Sequence, residues 1–525
     1  MKINNQNGWR ISSRDLFKAS CEHCTRIDMA VAAGVPEALE KTAPFNVDVS
    51  SLLWVMQGNE YERYVFDHLK AQLGDDLVEL AKTTMDETLT LLRAGTPVVA
   101  QGYLEKQTDD YLWSGFPDLL IREDFTFENG QIKKISEPNS EPKYVVWDVK
   151  ASSEPDEKYW IQVASYSEVL AEHGLASEND LGIIAKYGET IRKPKHEALQ
   201  QLEVARNTLL SRLALAAPDT ISAEFIESWR CEKPTLCEEN CSFPGLCKRV
   251  REEEHSLFMI YGTNPVPKYE AAGIRNYDDL IDSTECPDTI KIETYETGKT
   301  WARLLKTEKL QGPYFELKPK DNWLVLPTPT PDDLFFDIEW FNPVLQKDSN
   351  VFMFGYVDAE EHFESQDSLR AEDELTNFQE FVSRAKNKMK SNPLARIYHF
   401  HNPEVLYLRK LATKHNQLHD ECEFLISRMV DLRKIAMSMI LPGANSYSIK
   451  KLERYYDADT KLNRKGNLVE GGADAMLLYY KATVLEPQNA EELMNVIRDY
   501  NKDDCLSTKL LRDWLLGLKL YPAQP

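Results

Sequence analysis

The chain reads as an α/β protein made of two successive parts, and three observations predict this. The first is length: 525 residues exceed one typical domain, so roughly two to four are expected. The second is the order of patterns along the chain. Residues 1–255 read as helix, strands, then helices. From residue 334 strands come first and helices follow, the order of a mixed sheet with helices packed on it. The third is the proline-rich "LPTPTPDD" (326–333), which has the composition of a linker. The expected division is a first domain over 1–255, a connector over 256–330 and a second domain over 331–525.

In the first part, "SSLLWVMQGNEYERYVFDHL" reads as a helix with Gly58 and Glu62 spaced i,i+4 on one face. Gly58 would let that helix approach a neighbour closely. "GFPDLLIRE" (115–123) and "YVVWDVKAS" (144–152) read as strands. Asp148 and Lys150 are two apart and share a face, while Val149 points into the core. Asp118 follows a proline on the earlier strand, and "DEKYWIQVASYSEVL" is a helix that places Gln162 and Tyr166 on one face. Taken alone, an Asp-x-Lys pair is a common solvated strand face. A set of carboxylates beside a lysine also suits phosphodiester chemistry. The carboxylates hold a hard divalent cation through oxygen, and the lysine stabilises developing charge.

In the second part, "LFFDIEW", "NVFMFGYVD" and "ARIYHFH" read as strands. Asp337 and Glu339 face the same way on the first of them and could share a metal. "YHFHNPEVLYL" reads as a strand ending at a helix, with Asn402 as the cap, Pro403 in the first turn and Glu404 where the helix dipole favours a carboxylate. Near the end, "RDYNKDDC" lies on a long amphipathic helix, with Tyr500 and Asp504 i,i+4 on one face. Asp431 reads as structural, and Asp503 as off the site face.

A formal net charge of −23 argues against a protein that coats nucleic acid by bulk charge, although it leaves room for a local basic groove. "AKYGETIRKPKH" (185–196) is a candidate strip of that kind, or a solvated loop. No run of about 18 apolar residues exists, and the N-terminus lacks the apolar core of a signal peptide. An intracellular, cytoplasmic protein without a membrane partner is expected. Its nine cysteines are then thiols or metal ligands rather than disulfides. Cys231, Cys237, Cys241 and Cys247 form a dense group, with Cys21 and Cys24 far upstream. The group suits zinc as a local knuckle, or an iron–sulfur cluster. Cys286, Cys422 and Cys505 read as packed or surface thiols. The Gly-Lys-Thr of "ETGKTW" lacks the glycine-rich loop of a nucleotide site, so Lys299 and Thr300 read as chance.

The order G-x-x-x-E, P-D, D-x-K, Q-x-x-x-Y resembles the RecB-like branch of the PD-(D/E)XK nuclease superfamily. The resemblance implies a restriction-endonuclease-like fold, with Glu62, Asp118, Asp148 and Lys150 at the catalytic positions and Gln162 and Tyr166 at the branch signature. Many such nucleases carry histidine before the motif glutamate, where this chain has Tyr61. Relatives of the CRISPR-associated and AddB type staple the domain with a 4Fe–4S cluster. By that resemblance its ligands are Cys21, Cys237, Cys241 and Cys247, with Cys24 and Cys231 as spares. The second set resembles the DEDDy exonucleases of the RNase H-like fold. Asp337, Glu339 and Asp504 match their Mg2+- or Mn2+-binding acids, Glu404 stands where an aspartate is usual, and Tyr500 matches the residue that orients the attacking water.

Both sets together resemble a group of bacterial RecB-like nucleases that fuse the two domains. "CEHCTRIDMAV", "FFDIE", "NSYSIKKLE" and "YNKDDCLSTKLLRDWL" carry that likeness. It implies DNA with a free end or single-stranded character as substrate. Longer relatives carry a helicase, so here a helicase would be a separate partner. Beside the first motif, Trp340 and Phe341 replace small or polar residues, and either stack on a base or pack. "YEAAGIRNYDDLI" resembles a degenerate helix–hairpin–helix, or is a plain helical turn.

Overall fold

The computed structural model describes residues 1–3, 8–42, 49–226, 243–262, 264–444, 446–456, 461–462, 464, 469 and 471–520. The chain divides into two compact units, each a mixed α/β assembly. The first comprises residues 1–47, 54–267 and 344–347, and the second 48–53, 268–343 and 348–525.

The first unit is built on a six-stranded sheet whose spatial order follows the chain: β1 (Leu77–Glu79), β2 (Val98–Ala100), β3 (Leu119–Arg122), β4 (Tyr144–Val149), β5 (Leu181–Ile184) and β6 (Thr190–Lys193). β3 runs antiparallel to both β2 and β4, and β4 pairs with β5 in parallel. A parallel step needs a crossover, and the helix Glu157–Glu172 (α2) supplies it. The preceding helix α1 spans Val49–Leu73. Its Tyr61, Val65 and Leu69 recur every fourth residue and bury against Val98, Leu119, Ile121 and Trp147 on one face of the sheet. Trp160, Ile161, Val163 and Ala164 of α2 close the other face, over Val99, Leu120, Val146 and Ile183. Every residue of β4 is buried. A Cβ at Gly58 would meet nothing within 4 Å, so the close helix approach expected there does not occur.

The second unit carries a five-stranded sheet. Its strands are β7 (Leu334–Phe341), β8 (Asn350–Asp358), β9 (Phe363–Asp367), β10 (Ile397–His399) and β11 (Met429–Asp431), in the order β9-β8-β7-β10-β11. β7 to β9 form an antiparallel meander, and β10 and β11 continue in parallel from β7. The period of a strand sorts the residues of β7. Leu334, Phe336 and Ile338 pack with Phe378 and Phe381 of α3 (Glu374–Ser391) and with Leu408 and Leu411 of α4 (Pro403–His415). Phe335 faces the other way, into a cluster with Leu511 and Leu515 of α7 (Ala490–Leu520). Asp337 and Glu339 share the Phe335 face, so the sheet presents both carboxylates toward α7. Between β11 and α7 lie α5 (Leu432–Met439) and α6 (Ile449–Tyr456).

Asn402 stands at the start of α4 but makes no side-chain cap bond, contrary to expectation, whereas Pro403 opens the helix as expected. Asp431 has the structural role anticipated for it: it caps α5, accepting from Arg433 N at 3.0 Å and from His401 N at 3.1 Å. The hairpin-like stretch forms two short helices, Val266–Ala271 and Tyr277–Asp282, joined through Gly273 at φ +84°. Lys299 and Thr300 lie inside the helix Ile292–Gln311, which leaves no phosphate-cradling loop there. Among the described residues no helix is long and apolar enough to cross a membrane.

Candidate active site

Among the described residues, Asp337, Glu339 and Asp504 form the group of three potential metal ligands whose donor atoms lie within 4.8 Å of one another. β7 supplies two from one strand face and α7 crosses that face to supply the third. Such an approach places like charges together, and the electrostatics record it. Burial, reinforced by the charge of Asp504, pushes the Glu339 carboxyl up to about 8. Burial, with the charges of Glu339, Asp504 and Glu404, raises Asp337 well above the usual carboxylate range. Glu404 sits at the edge of the group, 2% exposed, and burial raises it too. Its partner is His399 Nδ1 at 3.1 Å.

Asn501 and Arg464 join these acids, and neither is evident from the acidic motifs. Asn501 is wholly buried and donates from Nδ2 to Asp337 at 2.8 Å and to Glu339 at 3.4 Å. It leans on Gly355, which pairs with Asp337 across β7 and β8, and a Cβ at Gly355 would overlap the Asn501 Oδ1. Helix spacing offers the signal that finds Asn501, since it is i,i+3 from Asp504 on α7. Arg464 Nη2 lies 2.6 Å from both Asp504 and Glu453. No motif announces Arg464, which reaches the site from outside the regular elements. Tyr500 is 3% exposed, and burial beside Asp504, Glu339 and Asp337 raises its phenol far above the ordinary range, so it stays protonated. Trp340 is half-buried and packs on Tyr407, with ring centres 4.9 Å apart, while Phe341 is buried against Tyr479 and Tyr480. Cys505 is also buried beside the acids, and its Sγ lies 3.8 Å from Asn501 Oδ1.

A donor set made only of carboxylate oxygens suits a hard divalent cation such as Mg2+ or Mn2+. The raised acids fit that view, because a cation between them would relieve the repulsion that raises them. Residues 334–516 match the family model RNase_H_2 of the RNase H superfamily. This part of the chain is RNase H-like. The β9-β8-β7-β10-β11 sheet and its three converging acids are therefore the core and the candidate site of an RNase H-like domain, a superfamily of metal-dependent nucleases. No curated protein and no solved structure matches the chain.

The first unit also gathers its expected residues. Lys150 Nζ lies 2.7 Å from Asp148 and 3.5 Å from Asp118. Asp118 accepts from the backbone N–H of Val149 at 2.8 Å, and Gln162 donates to Asp148 at 3.3 Å. Tyr166 donates to the carbonyl of Phe116 at 3.0 Å, and its ring occupies the space that a Cβ at Gly115 would need. Glu62 accepts from Gln101 at 2.7 Å, and burial plus the Asp118 charge lifts it to about 7. Burial and Asp118 likewise raise Asp148. Burial alone would lower Lys150, but Asp148 and Asp118 outweigh it and hold the ammonium charged. Glu62, Asp118 and Asp148 do not bring three donor atoms within the 4.8 Å that the other group achieves.

Tyr61 is 1% exposed, and its hydroxyl donates to the Ala185 carbonyl and accepts from Gly188 N. It braces the turn after β5. Three cations of the 185–196 strip are hydrogen-bonded to neighbours, Arg192 to Thr126, Lys193 to Gln201 and Lys195 to Glu178, while Lys186 lies over the Tyr187 ring. Cys21 and Cys24 are buried at the start of the helix Glu22–Ala32, where Cys21 Sγ accepts from Cys24 N at 3.4 Å. They share an apolar cluster with Phe243, Leu246 and Val250, which flank Cys247 on the helix Pro244–Glu253. Cys231, Cys237 and Cys241 lie outside the described residues.

Proposed function

We propose that the RNase H-like domain hydrolyses phosphodiester bonds as an exonuclease of the DEDDy kind, with DNA as substrate. The observation that carries this reading is the convergence of Asp337, Glu339 and Asp504 on one point between β7 and α7. These three residues, with Glu404 beside them, would hold Mg2+ or Mn2+. The ions supply Lewis acidity and a lowered pKa for bound water. The remaining work falls to the chain. Asn501 fixes the rotamers of Asp337 and Glu339 before substrate arrives. Tyr500, kept neutral, offers an O–H that orients the attacking water. His399 holds the longer side chain of Glu404 in place.

The first unit is a second candidate site of PD-(D/E)XK type. Support comes from the Lys150–Asp148–Asp118 contacts and from the antiparallel β2-β3-β4 meander followed by a parallel β5. In this role Glu62, Asp118 and Asp148 hold metal, Lys150 stabilises charge, and Gln162 and Tyr166 position Asp148 and the strand before it. Cys21 and Cys247, with Cys237 and Cys241, would bind a 4Fe–4S cluster, with zinc as the alternative. A separate helicase would feed such an enzyme single strands. A binding protein with silent sites is the competing reading.

Cleavage of end-labelled single-stranded DNA, duplex DNA and RNA by anaerobically purified protein with Mn2+ tests both sites. Lys150→Ala, Asp337→Ala and the double variant run beside wild type. Loss of about 100-fold or more in Asp337→Ala alone identifies the RNase H-like domain as the working site. Loss only in the double variant identifies two working sites. Binding without cleavage by wild type overturns the nuclease reading, and preferential RNA cleavage overturns DNA as substrate.

A further inference from the structure

Lys450 has no part in the reading so far. It lies on α6 within "NSYSIKKLE" and is half-buried. Its Nζ is 3.2 Å from the Tyr500 hydroxyl and 4.5 Å from the centre of that ring. An ammonium carries donors only, so in this contact the phenol oxygen must accept. The single phenol proton is thereby turned away from Lys450. Asp504, i,i+4 from Tyr500 on α7, offers that proton an acceptor on the side of the acids. The Lys450 charge is also felt at Glu339, where it offsets part of the repulsion among the acids. A cation over the ring face adds cation–π attraction and restricts the tilt of the ring.

We propose that Lys450 is a positioning residue for hydrolysis: it fixes the Tyr500 hydroxyl so that its proton faces the acids, where the attacking water is to be oriented. The proposal rests on the nuclease reading above and deepens it. Lys450 touches neither substrate nor water in this role and acts through Tyr500. Arg464 does not duplicate it. Arg464 is bound to Asp504 and Glu453, and its guanidinium carbon is 5.9 Å from the Tyr500 ring centre.

The test is steady-state cleavage of a single-stranded DNA oligonucleotide with Mn2+, using the full chain. Wild type is compared with Lys450→Met, Lys450→Arg, Tyr500→Phe and Lys450→Met combined with Tyr500→Phe. Lys450→Met should lower kcat by about 10–100-fold with KM nearly unchanged, and Lys450→Arg should recover most of the loss. In the Tyr500→Phe background, Lys450→Met should cost far less, because its main target is gone and only its charge at Glu339 remains. Full activity in Lys450→Met overturns the role. So does a change confined to KM, or an undiminished loss in the Tyr500→Phe background. Where Lys450→Met fails to give a wild-type circular-dichroism melt, Lys450→Gln replaces it in the same cycle. Wild type that cleaves nothing overturns the nuclease reading and this role together. An active wild type with an insensitive Lys450 overturns this role alone.

Discussion

Glu339 shows how one side chain can tie the chemistry of the site to its stability. Its carboxyl is raised to about 8, first by burial and then by Asp504. An unfolded glutamate titrates near ~4.3. The folded state therefore binds the proton more tightly. Its contribution to stability is fully present below about pH 4.3 and is lost as pH rises through about 8. Melts in chelator should show the protein weakening from pH 5 to 8 by an amount on the order of a few kcal/mol. Glu339→Gln should flatten that slope, and added Mn2+ should reverse it in wild type but not in the variant. A slope unchanged by Glu339→Gln would assign the loss to other groups. The two β7 acids were legible from the Asp-x-Glu pattern, since period two puts them on one face. Asn501 was not, because an amide among acids has no charge signature and its partners are over 160 positions away in sequence. Tyr61 was legible as a departure from a motif, but its bracing of the Ala185 turn depends on a contact 124 positions distant.

At the scale of elements, the site depends on where α7 crosses the sheet. A buried ion pair sets that crossing. Arg512 Nη1 lies 2.9 Å from Asp333, and the two side chains are 4% and 0% exposed. The guanidinium also stacks over Phe335 and Tyr398, at 4.7 Å and 5.1 Å from the ring centres. Arg512 is two helical turns beyond Asp504, so the pair fixes the register of α7 against β7. Arg512→Met strands a buried carboxylate and should destabilise the second unit by about 3–5 kcal/mol in denaturant titrations. Arg512→Met with Asp333→Leu should recover most of that loss. A single variant as stable as wild type would show that apolar packing alone seats the helix. The long helix itself was readable from its amphipathic pattern, as were the apolar strands. Its partner in the pair was not, because "LPTPTPDD" read as linker while Asp333 within it is fully buried.

At the scale of the whole molecule, the two units are two mixed sheets, one bearing a family match and one bearing a motif set. The cysteines test the reading of the first. Anaerobically purified wild type should carry about four irons per chain if the cluster is present, and Cys21→Ser should lose them while Cys24→Ser keeps them. Metal analysis that finds one zinc in place of iron would favour the local four-cysteine knuckle. Retention of iron in Cys21→Ser would remove Cys21 from the ligand set. Cys21 packs in the same buried apolar cluster as Phe243 and Val250, which brings the start and end of the first unit together.

Asp118 aside, which stands in a bend before β3 and not on a strand, the sequence by itself determined the α/β class, the strand or helix that carries each candidate acid, and the pairing of Asp337 with Glu339. These follow from local periodicity, which the backbone geometry of a strand or helix imposes residue by residue. Only the tertiary structure decided which acids converge, that Asn501, Arg464 and Lys450 join them, and that Tyr61 braces a turn. Convergence depends on where α7 lies over β7. That position is set by side-chain packing and a buried charge pair between segments far apart in the chain, which no local pattern encodes.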